Sequence, residues 1–313
     1  MPKTTHTFTH AQLTAERARY TGEPLWAAQH GIRRKDVGLD ECDQQQLRLR
    51  ALLALRLLNT EMAPHHCIEP GDPRTRAWRD VRGLLANTLT YSPRYNDFAI
   101  LTYMPGHLAK TLDGFPGIRV DGVTSGKYPA LQLRHLPTNS IISFRYVSHT
   151  LRGKLPASCH PVILSCKEVL LRPDRELTAR EYDDLAAAPH MTSDVQILLS
   201  GLLARMRLAH PDKKWAVREL IWGRENRPDQ DAGSFTYCWG TGDEWVVRWG
   251  GRSSVPATDV AQALTDPFAG VEGATARHFG SDRCEVRLGS ARLRLEHRDV
   301  ERGWEYDQLG MRP

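Results

Sequence analysis

The sequence predicts an α+β fold: N-terminal helices, a central mostly antiparallel sheet, a helical pair, and a C-terminal antiparallel sheet. Helical and strand-like periodicities come in blocks and do not alternate, which argues against a doubly wound sheet. Gly, Pro and Ser separate short alternating runs between residues 116 and 171 and again beyond residue 234, the punctuation of hairpins. With 313 residues, 41% hydrophobic and 25% charged, the chain can bury a sizeable core as one large domain or two ordinary ones.

Ala11 to Tyr20 reads as a short polar helix. Asp43 to Met62 is rich in good helix formers, with Asp43 as N-cap and Pro64 beyond its end. Leu47, Ala51, Ala54, Leu58 and Met62 fall on one stripe, with Arg56 opposite. Pro73 to Asn87 predicts a second helix, with Pro73 in its first turn. The period then changes, and Asn96 to Met104 reads as a strand ended by Pro105-Gly106. Gly117 to Val120, Ala130 to Leu133, Ile141 to Val147 and Val162 to Leu171 are further strands.

Thr178-Ala-Arg-Glu181 is a capping box that opens a helix to about Ala187. Thr192 or Ser193 caps the next helix, Asp194 to His210. Trp215 to Ile221 reads as a strand, and Thr258 to Leu264 as a short helix. Ser234 to Trp239 and Glu244 to Trp249 predict a hairpin around Thr241-Gly242-Asp243, with Phe235, Tyr237 and Trp239 on one face. Cys284 to His297 predicts another, turning at Gly289-Ser290. Its alternation puts Cys284, Val286, Leu288, Ala291, Leu293 and Leu295 on one face and Glu285, Arg287, Arg292, Arg294 and Glu296 on the other. Two units are expected: 1–172, a helical segment plus a basic β-rich domain, and 173–313, a helical pair plus a β-hairpin domain. A single large α+β domain is the alternative. No internal repeat with matching spacing is visible.

Net charge is +5, and the first half carries the positive excess. No apolar run matches a membrane span, and the N-terminus lacks the apolar core of a signal peptide. An intracellular protein, cytoplasmic or nuclear, is expected. The six Cys contain no CxxC and read as reduced thiols.

From Gly122 to Lys167 the chain has no Asp or Glu. Cations free of competing carboxylates suit phosphate contacts, so Lys127, Arg134, Arg145, Arg152 and Lys154 are candidate nucleic-acid contacts. Tyr128, Phe144 and Tyr146 could stack bases. The competing reading is a partly buried sheet with few charges of either sign. Arg287 and Arg292 join the candidates, because the Gly289-Ser290 turn sets them opposite each other, where like charges repel unless a ligand or an acid intervenes.

Other motifs point nowhere. The Gly122–Gly126-Lys127 segment has the wrong spacing for a P-loop, and Tyr128 stands where Ser or Thr would bind magnesium. His65-His66-Cys67 and Cys159-His160 with Cys166 lack chelate spacing, so no metal site is assigned. No serine elbow is present, a Cys–His pair built on Cys159 or Cys67 has no sequence support, and no catalytic residue or cofactor is indicated. The expected function is nucleic-acid binding or processing through a basic sheet surface. A protein–protein module or scaffold subunit is the first alternative, and an enzyme on a small anionic substrate the second.

Overall fold

The computed structural model describes residues 8–21, 23–32, 36–58, 89–95, 97–102, 115–124, 130–146, 176–205, 235–250 and 255–298. Helix α1 spans His10–Thr21. The short α2, Leu25–Ala28, runs into a single 3-10 turn at Gln29–Gly31. Helix α3 spans Gln44–Leu57, and Asp43 caps it by accepting from the Gln46 amide at 2.7 Å. The single apolar stripe expected of α3 is not what forms. Among its 14 residues, 11 are buried, Arg50 and Arg56 included. A helix covered all round is packed on more than one side, and α3 meets both a sheet and another helix. The Arg50 guanidinium donates to the Leu39 carbonyl at 3.2 Å and lies over the Phe98 ring at 5.5 Å.

The first sheet holds β1 Leu89–Arg94, β2 Asp97–Thr102, β3 Ile118–Val123, β4 Ala130–His135 and β5 Ser140–Tyr146, in the order β1-β2-β5-β4-β3. Strands β2 and β5 are parallel, and the other pairs are antiparallel. Strand β1 was not anticipated because Pro93 breaks its strand pattern. Proline is tolerated on an edge strand, and β1 is one. The expected helix Pro73 to Asn87 and strands Val162 to Leu171 and Trp215 to Ile221 lie outside the described residues.

Helices α4, Ala179–Ala186, and α5, Ser193–Ala204, follow. The second sheet comprises β6 Phe235–Thr241, β7 Glu244–Gly250, β8 Thr275–His278, β9 Arg283–Leu288 and β10 Ala291–Arg298, with helix α6, Ala257–Leu264, between β7 and β8. Its order is β6-β7-β10-β9-β8. It is not wholly antiparallel, because β7 pairs with β10 in parallel. Strands β7 and β8 run the same way, so the chain crosses back through α6. The meander β8-β9-β10 then drops its last strand beside β7.

The two sheets follow one plan. Each has a hairpin with a two-residue turn, a crossover, and a meander whose final strand joins the hairpin in parallel. The ladders keep the same register. Phe98 pairs with Ile142, which pairs with Leu133, which pairs with Val120. Trp245 pairs with Leu293, which pairs with Val286, which pairs with Ala276. Phe98, Ile100, Leu131, Leu133 and Ile142 face the core, as do their counterparts Trp245, Val247, Cys284, Val286 and Leu293. A helix precedes each sheet, α3 the first and α5 the second, and these two pack together. The sequence shows no repeat with matching spacing, and the strand spacings of the two sheets do differ. The architecture repeats although the residues do not, since register needs only apolar residues at alternate positions.

One apolar cluster contains side chains of both sheets, α3, α5 and α6. Buried arginines tie the N-terminal segment to it. Arg17, fully buried, pairs with Glu23 at 2.8 Å and donates to the carbonyls of Val37, Gly38 and Pro93. Arg205, at the end of α5, holds Asp40 through two contacts of 2.8 and 2.6 Å and donates to the Ala269 carbonyl. Removing Asp40 would leave that guanidinium buried and uncompensated. Asp40→Ala is expected to lower unfolding free energy by about 3 kcal/mol, near the low end for a broken buried pair because Asp40 reaches solvent. Urea denaturation measures this, and a change below about 1 kcal/mol, the value of a surface pair, refutes it.

Candidate binding surface

Among the central cations expected to meet phosphates, Lys127, Arg152 and Lys154 lie outside the described residues. Arg145 sits in β5 opposite Leu101 and Ala130. Elsewhere in the same ladder Ser143 is fully buried, as is its register partner Ala99. Arg134 is engaged: it grips Asp121 at 2.9 and 2.7 Å and donates to the Asn139 side chain at 2.7 Å. The Asp121 carboxylate raises its pKa. Asp121, one residue before the acid-free window, thus reaches into it across the β3–β4 ladder.

Arg119, whose register partner is Arg134, points to another acid. It holds Glu181 at 2.7 and 2.8 Å. Glu181 also closes the capping box with Thr178 and accepts from the Gly117 amide at 3.0 Å. The Arg119 contact chiefly holds the Glu181 carboxyl down at about 2. Helix α4 is thereby pinned to the edge of the first sheet. His135 is fully buried beside Phe115, and its Nδ1 meets the Thr138 hydroxyl at 2.8 Å.

The outward face of the second sheet is different. Register lines its residues into rows that cross the strands. One row runs Trp239, Val246, Arg294, Glu285, Arg277. On one side lies Tyr237, Arg248, Glu296, Arg283, with Phe279 beyond Arg283 through a backbone bond of 2.8 Å. On the other lies Thr241, Glu244, Arg292, Arg287, Thr275. Arg277, Arg283, Arg287, Arg292 and Arg294 are exposed. So are two large aromatics, Trp239 at 41% and Phe279 at 51%.

The face carries six arginines against three glutamates. Arg248 pairs with Glu296 at 2.6 Å, Arg292 with Glu244 at 3.1 Å, and Arg287 with Glu285. Arg287 and Arg292 are cross-strand neighbours, as their turn implied, and each has an acid. Arg294 lies opposite Glu285, but that carboxylate turns to Arg287. Arg277, Arg283 and Arg294 have no acidic partner among the described residues. Arg277 lies over the Phe279 ring at 4.9 Å and Arg248 over Trp239 at 5.0 Å.

The equivalent positions of the first sheet show what changed. Arg294 matches Ser143, and Val246 matches Ala99. Both positions are fully buried in the first sheet, whereas Arg294 is exposed in the second.

Other chemistry is sparse. His278 Nδ1 lies 3.2 Å from Cys284 Sγ, a pair that distance in sequence did not suggest. Cys284 is fully buried, and burial raises its pKa, so it is a core thiol and not a nucleophile. The His and Cys clusters around Cys67 and Cys159 lie outside the described residues. Among the described residues, no group of three or more His, Cys, Asp or Glu could hold a metal ion, and no helix is long and apolar enough to cross a membrane. No known family, curated protein or solved structure matches this chain.

Sequence reading found Arg287 and Arg292 but passed over Arg277, Arg283, Trp239 and Phe279 as contacts. Strand β8 was not recognised, so its neighbours had no face. The signal available was Phe279-Gly-Ser-Asp282, an exposed-turn composition beside an aromatic.

Burial pushes the pKa of His135 down to about 3 from 6.5, with Arg48 adding repulsion. The unfolded chain takes up this proton first. The His135 contribution to stability is therefore complete above pH 6.5 and declines as pH falls toward 3. Urea midpoints measured from pH 7 to 4 should fall less steeply in His135→Gln than in wild type, and parallel profiles would refute the assignment.

Proposed function

We propose that this protein binds nucleic acid, DNA or RNA, through the outward face of its second sheet. The observation that carries this reading is a set of three exposed arginines, Arg277, Arg283 and Arg294, with no acidic partner among the described residues, on an otherwise paired sheet surface. Phosphates bind where cations are presented without competing carboxylates and release counterions in doing so. Arginine suits the task, since its planar fork matches phosphate oxygens. Trp239 and Phe279 add stacking surface at the margins. The reading moves the basic surface from the central window to the C-terminal sheet. Arg134 is held by Asp121 and contributes less.

Fluorescence anisotropy with mixed-sequence DNA and RNA tests it. Three phosphate contacts predict a log–log salt slope near −2, a loss of roughly 20-fold between 50 and 200 mM salt. The charge reversals Arg294→Glu and Arg283→Glu should each weaken low-salt binding at least tenfold, while Arg134→Gln changes it less than twofold. No binding at low salt, or binding indifferent to salt, overturns the proposal.

A further inference from the structure

The aromatic residues on this face are placed as a pair. Trp239 lies on β6, one edge of the sheet, and Phe279 directly follows β8, the opposite edge. Four strand spacings separate those edges, about 19 Å. Each ring has a guanidinium over it, Arg248 above Trp239 and Arg277 above Phe279. Each nonetheless keeps over 40% of its surface exposed. A cation over one side of a ring fixes its orientation and leaves the exposed side for a second planar group. Between the two rings lie Arg294 and Arg283, two of the arginines with no acidic partner among the described residues.

A duplex cannot use this arrangement. Its bases are stacked on one another, so edge aromatics would meet only sugar and phosphate. A single strand exposes the faces of its bases, and stacking on aromatic side chains is how such strands are held without sequence preference. We infer that the ligand of this face is a single strand running across the β-strands, from Trp239 to Phe279. Bases stack on the two rings, and Arg294 and Arg283 neutralise the phosphates between them. The span fits roughly four nucleotides, the short end of single-strand sites. The inference rests on the nucleic-acid reading above and specifies its ligand.

The test uses the full chain at low salt with four probes of equal length: a thymidine 12-mer, the same backbone without bases, a duplex, and poly-glutamate. The 12-mer is expected to bind at least tenfold more tightly than the duplex and at least fivefold more tightly than the baseless backbone. Trp239→Ala and Phe279→Ala should each weaken 12-mer binding fivefold or more, leave baseless-backbone binding unchanged, and melt at the wild-type temperature. Trp239→Phe should restore most of the loss.

Duplex binding equal to the 12-mer, or aromatic variants without effect while Arg294→Glu still weakens binding, overturns the single-strand inference and leaves the nucleic-acid reading standing. Absence of binding to all three nucleic-acid backbones overturns both. Poly-glutamate binding as tightly as the 12-mer also overturns both, and identifies an acidic protein segment as the ligand. The wild-type comparison of 12-mer with baseless backbone decides the question even where a variant misfolds.

Discussion

The contact between α3 and α5 is the constraint on which the rest depends. Each helix introduces one of the two equivalent sheets, and each is buried around most of its surface. A helix buried on more than one side needs more than one neighbour to cover it. Packing them together covers one side of each, and the sheets cover others. Strands β2 and β5 lie against α3, while β9 and β10 lie against α5. The buried arginines follow from the same geometry. Arg50 sits inside because α3 has no outside there, and the Leu39 carbonyl and the Phe98 ring receive its guanidinium. Arg205 ends α5 where the segment around Asp40 returns to the core. Buried ionic groups of this kind stabilise little in net terms but penalise any other arrangement heavily.

Two sheets with one topology and one register indicate a common plan used twice. The inward faces have kept equivalent work: Phe98 and Trp245 fill the same position over the central helices, as do Leu133 and Val286. The outward faces differ. In the first sheet, Ala99 and Ser143 are closed off, and α4 is bolted to the edge through Glu181 and Arg119. In the second sheet the exposed Arg294 takes the position of Ser143, among arginines and glutamates, while Val246, at the position of Ala99, stays buried. An inward face is bound by the volume of the core, in which even a methylene is felt. An outward face bears no such constraint, so that is where two copies can take different roles.

Local structure was largely legible. Capping chemistry placed the starts of α3 and α4, and both N-caps accept the predicted amide bonds. The Gly289-Ser290 turn has the positive φ at Gly289 that a tight hairpin requires, and it set the register of β9 and β10. Edge strands were the hardest. Strand β1 carries Pro93 and β8 is only four residues long, so each is weak as a pattern and is held by its neighbour. The candidate surface was half legible for the same reason. Arg287 and Arg292 belong to a clear hairpin, whereas Arg277 belongs to, and Phe279 directly follows, the strand that pattern alone did not reveal.

The sequence by itself determined the α+β class, the β6–β7 and β9–β10 hairpins and the inward side of β9 and β10, because these follow from period, turn residues and caps within a few residues of one another. Charge along the chain does not show which cations are already paired: within the acid-free window Arg134 is answered by Asp121 from the neighbouring strand, and just before the window Arg119 is answered by Glu181 from a distant helix. Only the tertiary structure decided which cations keep acidic partners, since ion pairs form across strands and between elements and leave no trace in linear spacing. It also decided that α3 is covered all round and that the two sheets are copies of one plan. Both depend on which elements meet, and that is set by the burial of apolar surface over the whole chain.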